Sequence, residues 1–247
     1  MRAPHALIAT VFALAVWQAA VWLTDFPSFI LPGPGRVAET WWQNRWLIAE
    51  HTAVTAIEVA LGLLVGAGLG MITALLLALS KSARVILQPL LVFSQALPVF
   101  ALAPILTLWL GYGLGSKVAM AVLIIFFPVT TAFFDGLVRT PQGYLDLARS
   151  MQANPRAILW QIRVPAALPS LASGLKLAAV YAPIGAVIGE WVGSSSGLGY
   201  LMLLANGRAK TDLMFAAMLT LGLFSVLLYV AANWATGYLV RRATGQR

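Results

Sequence analysis

Residues 139–170 read RTPQGYLDLARSMQANPRAILWQIRVPAALPS, a polar interruption between apolar runs whose reading decides the fold. It holds Arg139, Arg149, Arg156 and Arg163, one aspartate, and two prolines behind polar capping residues. A link that only joined two membrane spans needs about five residues. Thr140 before Pro141 predicts a helix start, with a hydroxyl cap and then a proline where a missing N–H costs nothing. Asn154 before Pro155 repeats the device, so two short helices are expected with a turn at 152–154. On the first helix, Tyr144, Leu147, Ala148 and Met151 recur at i, i+3, i+4 and i+7 and form one apolar stripe. Gln142, Asp146, Arg149 and Gln152 occupy other faces. Outside a bilayer such a stripe must be covered, either by the chain's own bundle or by a partner's groove.

The surrounding chain is a membrane protein by composition: 60% of 247 residues are apolar and 10% are charged. A spanning helix needs about 20 mostly apolar residues. Segments 5–24, 54–79, 85–110, 117–138, 172–192 and 213–239 qualify, so the expected fold is all-α and polytopic, with about six transmembrane helices. The whole chain, 1–247, is expected to be one transmembrane domain with a cytoplasmic loop at 139–170. The first segment lacks a small-residue cleavage site and reads as a retained anchor. Cysteine is absent, which excludes disulfides and thiolate metal ligands.

A net charge of +8 would suit nucleic acid, but the positions argue for orientation instead. With the N-terminus inside, the cytoplasmic side holds Arg2, Lys81, Arg84, Arg139, Arg149, Arg156, Arg163, Lys176, Arg241, Arg242 and Arg247. The outside keeps Arg36, Arg45, Lys117, Arg208 and Lys210. This asymmetry puts both termini in the cytoplasm and leaves no role for nucleic acid.

Elsewhere, Pro32, Gly33, Pro34 and Gly35 are expected to forbid a helix, with a short amphipathic helix following and Trp41, Trp42 and Trp46 at the lipid interface. Gly62, Gly66 and Gly70 form a small-residue face for close backbone approach, within the subunit or across a dimer seam. Pro98 and Pro104 interrupt the third segment, for packing or to line a pathway. Glu58, Asp135 and Glu190 lie in or near spans, where an ionisable group is costly. Glu190 opens EWVGSSSGLGY, and with Ser194, Ser195 and Ser196 it is a candidate gate; a capped structural role is the alternative. His5 and His51 lie far apart, and no metalloprotease, serine-hydrolase or phosphate-loop pattern is present, so the chain does not read as an enzyme.

DLARSMQ, nine residues, then Ile162-Arg163-Val164-Pro165 resembles the loop E-A-A-x3-G-x9-I-x-L-P of ABC importer permeases. Asp146 stands at the glutamate, Leu147 and Ala148 at the alanines, and Ile162, Val164 and Pro165 match the tail. Gln152 takes the glycine position, so the turn is expected at Ala153 and Asn154 instead. ILPGPGRVAETWW, QALPVFALAPILTLWLGYG, FPVTTAFFDGL and GEWVGSSSGLGYLM resemble the nitrate, sulfonate and taurine branch. The last also resembles permeases for hydroxymethylpyrimidine-type thiamine precursors.

The resemblance implies a homodimeric permease in a bacterial cytoplasmic (inner) membrane. An ABC ATP-binding subunit would hold the ATP and magnesium, and this chain no cofactor. A periplasmic or lipid-anchored solute-binding protein would deliver the solute. Tyr144, Leu147, Ala148 and Met151 would contact the ATPase, Asp146, Arg149 and Gln152 would set the register, and Ile162, Val164 and Pro165 would lead into the fifth span. A rival, the ion-coupled secondary transporter, should show paired intramembrane charges and repeated halves, and neither is evident in the sequence. A membrane enzyme should concentrate His, Asp or Glu on one face, and these residues are scattered.

Overall fold

A computed structural model describes residues 3–244, and within them every regular element is a helix. Arg2 and Arg247, counted in the charge asymmetry, lie outside the described residues. In chain order the helices are α1 (Ala3–Thr24), α2 (Pro34–Gln43), α3 (Arg45–Leu79), α4 (Lys81–Ala96), α5 (Val99–Leu110) and α6 (Leu114–Val138). They continue with α7 (Gln142–Ser150), α8 (Pro155–Ile158), α9 (Val164–Gly193), α10 (Leu198–Gly207) and α11 (Thr211–Thr244). Among the described residues four helices are long and apolar enough to cross a membrane: α3, α6, the continuous run Pro155–Gly193 and α11. α4 and α5 pass that test only as a pair, and the pair is bent by 102°. In α1 the apolar stretch Ile8–Thr24 is shorter than these.

Three sequence expectations change. The segment expected as one span over 85–110 is two helices, because Pro98 offers no N–H and holds Leu97 extended at φ −77°, ψ 126°. Pro104, by contrast, sits inside α5 without ending it. Pro34 and Gly35 do not forbid a helix but open α2, with Pro34 in its first turn, where a fixed φ is an advantage.

The helices gather into two compact units. One comprises residues 1–55 and 195–223. Its core is Val37, Ile48, Leu198, Leu201, Ala205 and Ala216, with Trp17 stacked on Phe215. Asp212 receives Arg36 Nε at 3.4 Å and the Thr40 hydroxyl at 3.2 Å. α10 was not foreseen as a helix. His51 Nδ1 and Thr55 Oγ1 of α3 accept the N–H groups of Gly197 and Leu198, at 3.0 and 2.8 Å, satisfying orphan donors at its start.

The other unit comprises residues 56–194 and 224–247, and α6 is its axis. Cβ atoms placed on Gly62 and Gly66 of α3 would lie 2.5 Å from Ala121 Cβ and Ile125 Cγ1. On α9, Cβ atoms at Gly174 and Gly185 would lie 2.8 Å from Ala132 Cβ and 2.7 Å from Ala121 Cα. The glycine face of α3 is therefore filled within the chain, which resolves the choice between subunit packing and dimer seam. Ile125, Val129, Phe133 and Leu137 of α6 are buried in the core that results.

Gly62→Ala should lower stability by about 1–3 kcal/mol, because the new methyl overlaps Ala121. Adding Ala121→Gly should restore most of it, read as the thermal midpoint of the purified protein in detergent. A single variant as stable as the parent would mean that α3 and α6 do not approach so closely.

Candidate coupling loop, cavity and buried charge cluster

α7 starts differently from the sequence expectation. Pro141 is its N-cap and offers no side-chain hydrogen bond. The Thr140 hydroxyl instead donates to the Leu137 carbonyl at 3.2 Å, serving one of the free carbonyls that end α6. Asn154 behaves as expected: its side chain accepts from the Arg156 N–H at 3.0 Å and Pro155 opens α8.

The turn is a second correction. Gln152 itself adopts φ +57°, so the side chain standing at the family's glycine takes the left-handed conformation, and the turn is not displaced to Ala153 and Asn154. The Ala153 N–H donates to Ala148 O and the Gln152 N–H to Arg149 O, both at 2.9 Å. That pair of bonds is a Schellman termination, and its closure offsets a left-handed cost of about 1–2 kcal/mol.

The apolar stripe divides. Ala148 is 6% exposed and faces inward together with Leu145 at 2%, whereas Tyr144, Leu147 and Met151 are 63%, 61% and 74% exposed. Ala148 is therefore not a surface contact. Asp146 and Arg149 pair with each other at 3.0 Å on the exposed side. Ile162, Val164 and Pro165 are half-buried. Residues Leu159–Arg163 form a π turn that joins α8 to α9 without a break. Pro165 has no N–H for Gln161 and its ring crowds that carbonyl, so widening the preceding turn relieves it.

A cavity of about 480 Å³ opens in the second unit beside the α4–α5 break, α6 and α9. Its polar lining is Gln95, Thr131, Asp135, Ser173 and Tyr181. Of the candidate gate residues, Pro98 makes the break beside it. Pro104, Glu190, Ser194, Ser195 and Ser196 do not line it. Ser194 instead ends α9.

Glu190 belongs to a different constellation. Lys117 Nζ of α6 lies 3.0 Å from Glu58 Oε1 of α3, with side-chain exposures of 7% and 1%. The buried Glu190 of α9 interacts with the same carboxylate. Gly189 lets this happen, since a Cβ there would lie 3.0 Å from Lys117 Cα. Lys117 is thus not an outward surface charge, and paired buried charges do exist within the apolar helices. The sequence hid the pairing because its members are far apart along the chain.

The profile of the family described as "Binding-protein-dependent transport system inner membrane component" matches residues 66–245. A probable ABC transporter permease protein of Haemophilus influenzae is 52% identical, over 90% of this chain and 90% of its own. The formylaminopyrimidine transport permease protein ThiX of Halalkalibacterium halodurans is 36% identical, over 93% of each chain. A chain from an inward-facing conformation of the MetNI methionine ABC transporter superposes with a TM-score of 0.67 at 19% identity. That match covers 81% of this chain and 98% of the other, a likeness of fold.

Lys117→Met should cost about 3–5 kcal/mol by leaving buried carboxylates without their cation, and adding Glu58→Gln should recover most of it. Melting temperatures in detergent test this. Equal losses in the single and double variants would show that the two side chains do not act as a pair.

Proposed function

The chain belongs to the family of binding-protein-dependent transport system inner membrane components, and from that premise we propose that it is the membrane-spanning, non-catalytic subunit of an ATP-driven importer. In this reading residues 1–247 work as one domain with six spans, counting α1 and the bent α4–α5 pair. Two copies form the passage. An ABC ATP-binding subunit carries ATP and magnesium, and a periplasmic or lipid-anchored binding protein delivers the solute. Both termini and the 139–170 loop face the cytoplasm of a bacterial inner membrane.

The observation that carries the reading is the exposed row Tyr144, Leu147 and Met151 on α7. A helix closed by its own capping bonds and held inward by Leu145 and Ala148 presents these three side chains as a rigid unit. Docked in a cleft of the ATPase, it would convey closure of that subunit to the spans. Nucleotide state would then select between two openings of the passage by differential binding. Ile162, Val164 and Pro165 lead that movement into α9. The buried Glu58–Lys117 pair is a feature that an ion-coupled transporter would share, but family membership supports the ATP-driven reading. The solute is a thiamine-precursor pyrimidine or a sulfonate-like oxyanion, with the kinship to ThiX supporting the first.

Leu147→Asp, placed in the complete transporter, should reduce binding-protein-stimulated ATP hydrolysis about tenfold and weaken co-purification of the ATPase, because an unpaired charge at a closed contact costs about 1–3 kcal/mol. Unchanged stimulation would put the contact elsewhere.

Orientation has its own test, since the chain has no native cysteine to remove. Gln152→Cys should react with a membrane-impermeant maleimide only in inverted vesicles, and Gln43→Cys only in intact cells. Labelling of Gln152→Cys in intact cells would reverse the proposed topology.

A further inference from the structure

We infer that the groove between α9 and the C-terminal part of α11 is a binding site for an anionic phospholipid, whose phosphodiester meets Lys176 and Arg241 and whose acyl chains lie along Val230 and Trp234. The inference goes beyond the importer reading and needs only that this unit lies in a bilayer. The orientation proposed above puts the site in the cytoplasmic leaflet.

The first argument is depth. Residues 213–232 of α11 carry no charged side chain and rise about 30 Å at 1.5 Å per residue, the thickness of a hydrocarbon core. Beyond them come Asn233, then Trp234 stacked on Tyr238 with ring centroids 6.5 Å apart, then Arg241 and Arg242. Exposed tryptophan and tyrosine followed by arginine mark the level of the lipid headgroups. At that level a cavity of about 600 Å³ is lined by Lys176 of α9 and by Asn233, Trp234, Gly237 and Arg241 of α11. Gly237 keeps it open, since a Cβ placed there would meet no neighbour within 4 Å.

The second argument is charge. The lining holds two cations and no acid. Lys176 is half-buried on a helix long enough to cross the membrane, where a charge without a partner is costly. Among the described residues neither Lys176 nor Arg241 forms an ion pair. Their own unit has no acidic side chain left for them. Glu58 and Glu190 belong to the cluster around Lys117, Asp135 pairs with Arg139, and Asp146 pairs with Arg149. Residues 56–194 and 224–247 contain no other aspartate or glutamate. The neutral groups do not reverse the sign. The Thr236 hydroxyl donates to the Ala232 carbonyl at 2.7 Å, and the Asn233 amide can present N–H to an anion.

The third argument is the apolar wall. Inorganic phosphate would satisfy the two cations and leave the rest of the groove uncovered. Val230 and Trp234 are exposed there, and Pro169 and Ala172 of α9 complete the apolar lining. One phospholipid covers both parts: a guanidinium can hold two phosphate oxygens, an ammonium adds a point charge, and acyl chains bury the apolar surface. Basic pockets between spans on the cytoplasmic side bind anionic headgroups through this chemistry. So bound, the phosphodiester would tie α9 to α11.

The test is native mass spectrometry of the full chain in detergent, titrated with phosphatidylglycerol, with phosphatidylcholine of the same acyl chains, and with inorganic phosphate. Phosphatidylglycerol should bind about tenfold more tightly than phosphatidylcholine, and inorganic phosphate should not displace it. Lys176→Gln with Arg241→Gln should weaken phosphatidylglycerol about tenfold, whereas Lys176→Arg should bind like the parent. Gly237→Leu leaves both cations in place and fills the groove, so it should weaken the lipid by itself even where the charge variant does not fold. Lys81→Gln with Arg156→Gln removes two cations outside the lining and should change little. Equal binding of the two phospholipids, displacement by phosphate, indifference to Gly237→Leu, or equal weakening by the Lys81 and Arg156 changes would each overturn the inference. A shifted monomer–dimer ratio in the groove variants with lipid binding intact would give the groove to a second copy and overturn it too. None of these outcomes touches the importer reading, which is tested separately by binding-protein-stimulated ATP hydrolysis of the assembled transporter.

Discussion

Much of the larger unit depends on how closely α3 and α9 approach α6. Glycine on both flanking helices removes the side chains that would hold the backbones apart, so Ala121, Ile125 and Ala132 touch main chain where they would otherwise meet a methyl. In lipid the hydrophobic effect contributes little between spans, and close van der Waals packing does the holding. Such an interface tolerates little sliding, because displacement along the axis drives side chains into backbone. α3, α6 and α9 are therefore held together as one tightly packed group.

This frame also explains why a charged cluster can survive among apolar helices. Glu58, Lys117 and Glu190 lie on the three helices that are fixed most firmly, so the geometry that compensates their desolvation is maintained. A buried ion pair adds little stability over an apolar substitute but penalises any arrangement that separates it. Here it adds register: α3, α6 and α9 can reach this packing in one alignment only.

Helix positions were largely legible because long apolar runs in a membrane protein have one main way to satisfy their backbone. The bend at Pro98 was marked by the proline itself, though its size depends on what α5 packs against. Other features were not readable from local pattern. α7 carries apolar residues on two adjacent faces, Leu145 with Ala148 and Tyr144 with Leu147 and Met151, and a period of 3.6 does not say which is turned inward. Gln152 in a left-handed turn has no sequence signature, since its stabilisation comes from two main-chain bonds. The same holds for Lys117, which reads as a surface residue until Gly189 brings Glu190 and α9 beside it. The family was legible from the 139–170 loop because the resemblance is carried by a compact local motif. The cavity was not, because its lining comes from four separate helices.

The π turn at Leu159–Arg163 fixes a count. Residues 155–193 form one rod of 39 residues, about 58 Å long at 1.5 Å per residue. One residue more or fewer in that turn would rotate everything beyond it by about 100° relative to the loop. The exposed side chains Tyr144, Leu147 and Met151 can change without disturbing the packing of the spans. The number of residues between α7 and α9 has no such freedom, because it sets the angle at which every side chain of α9 stands relative to the loop. Substitution is the open route of divergence here, and insertion or deletion the closed one.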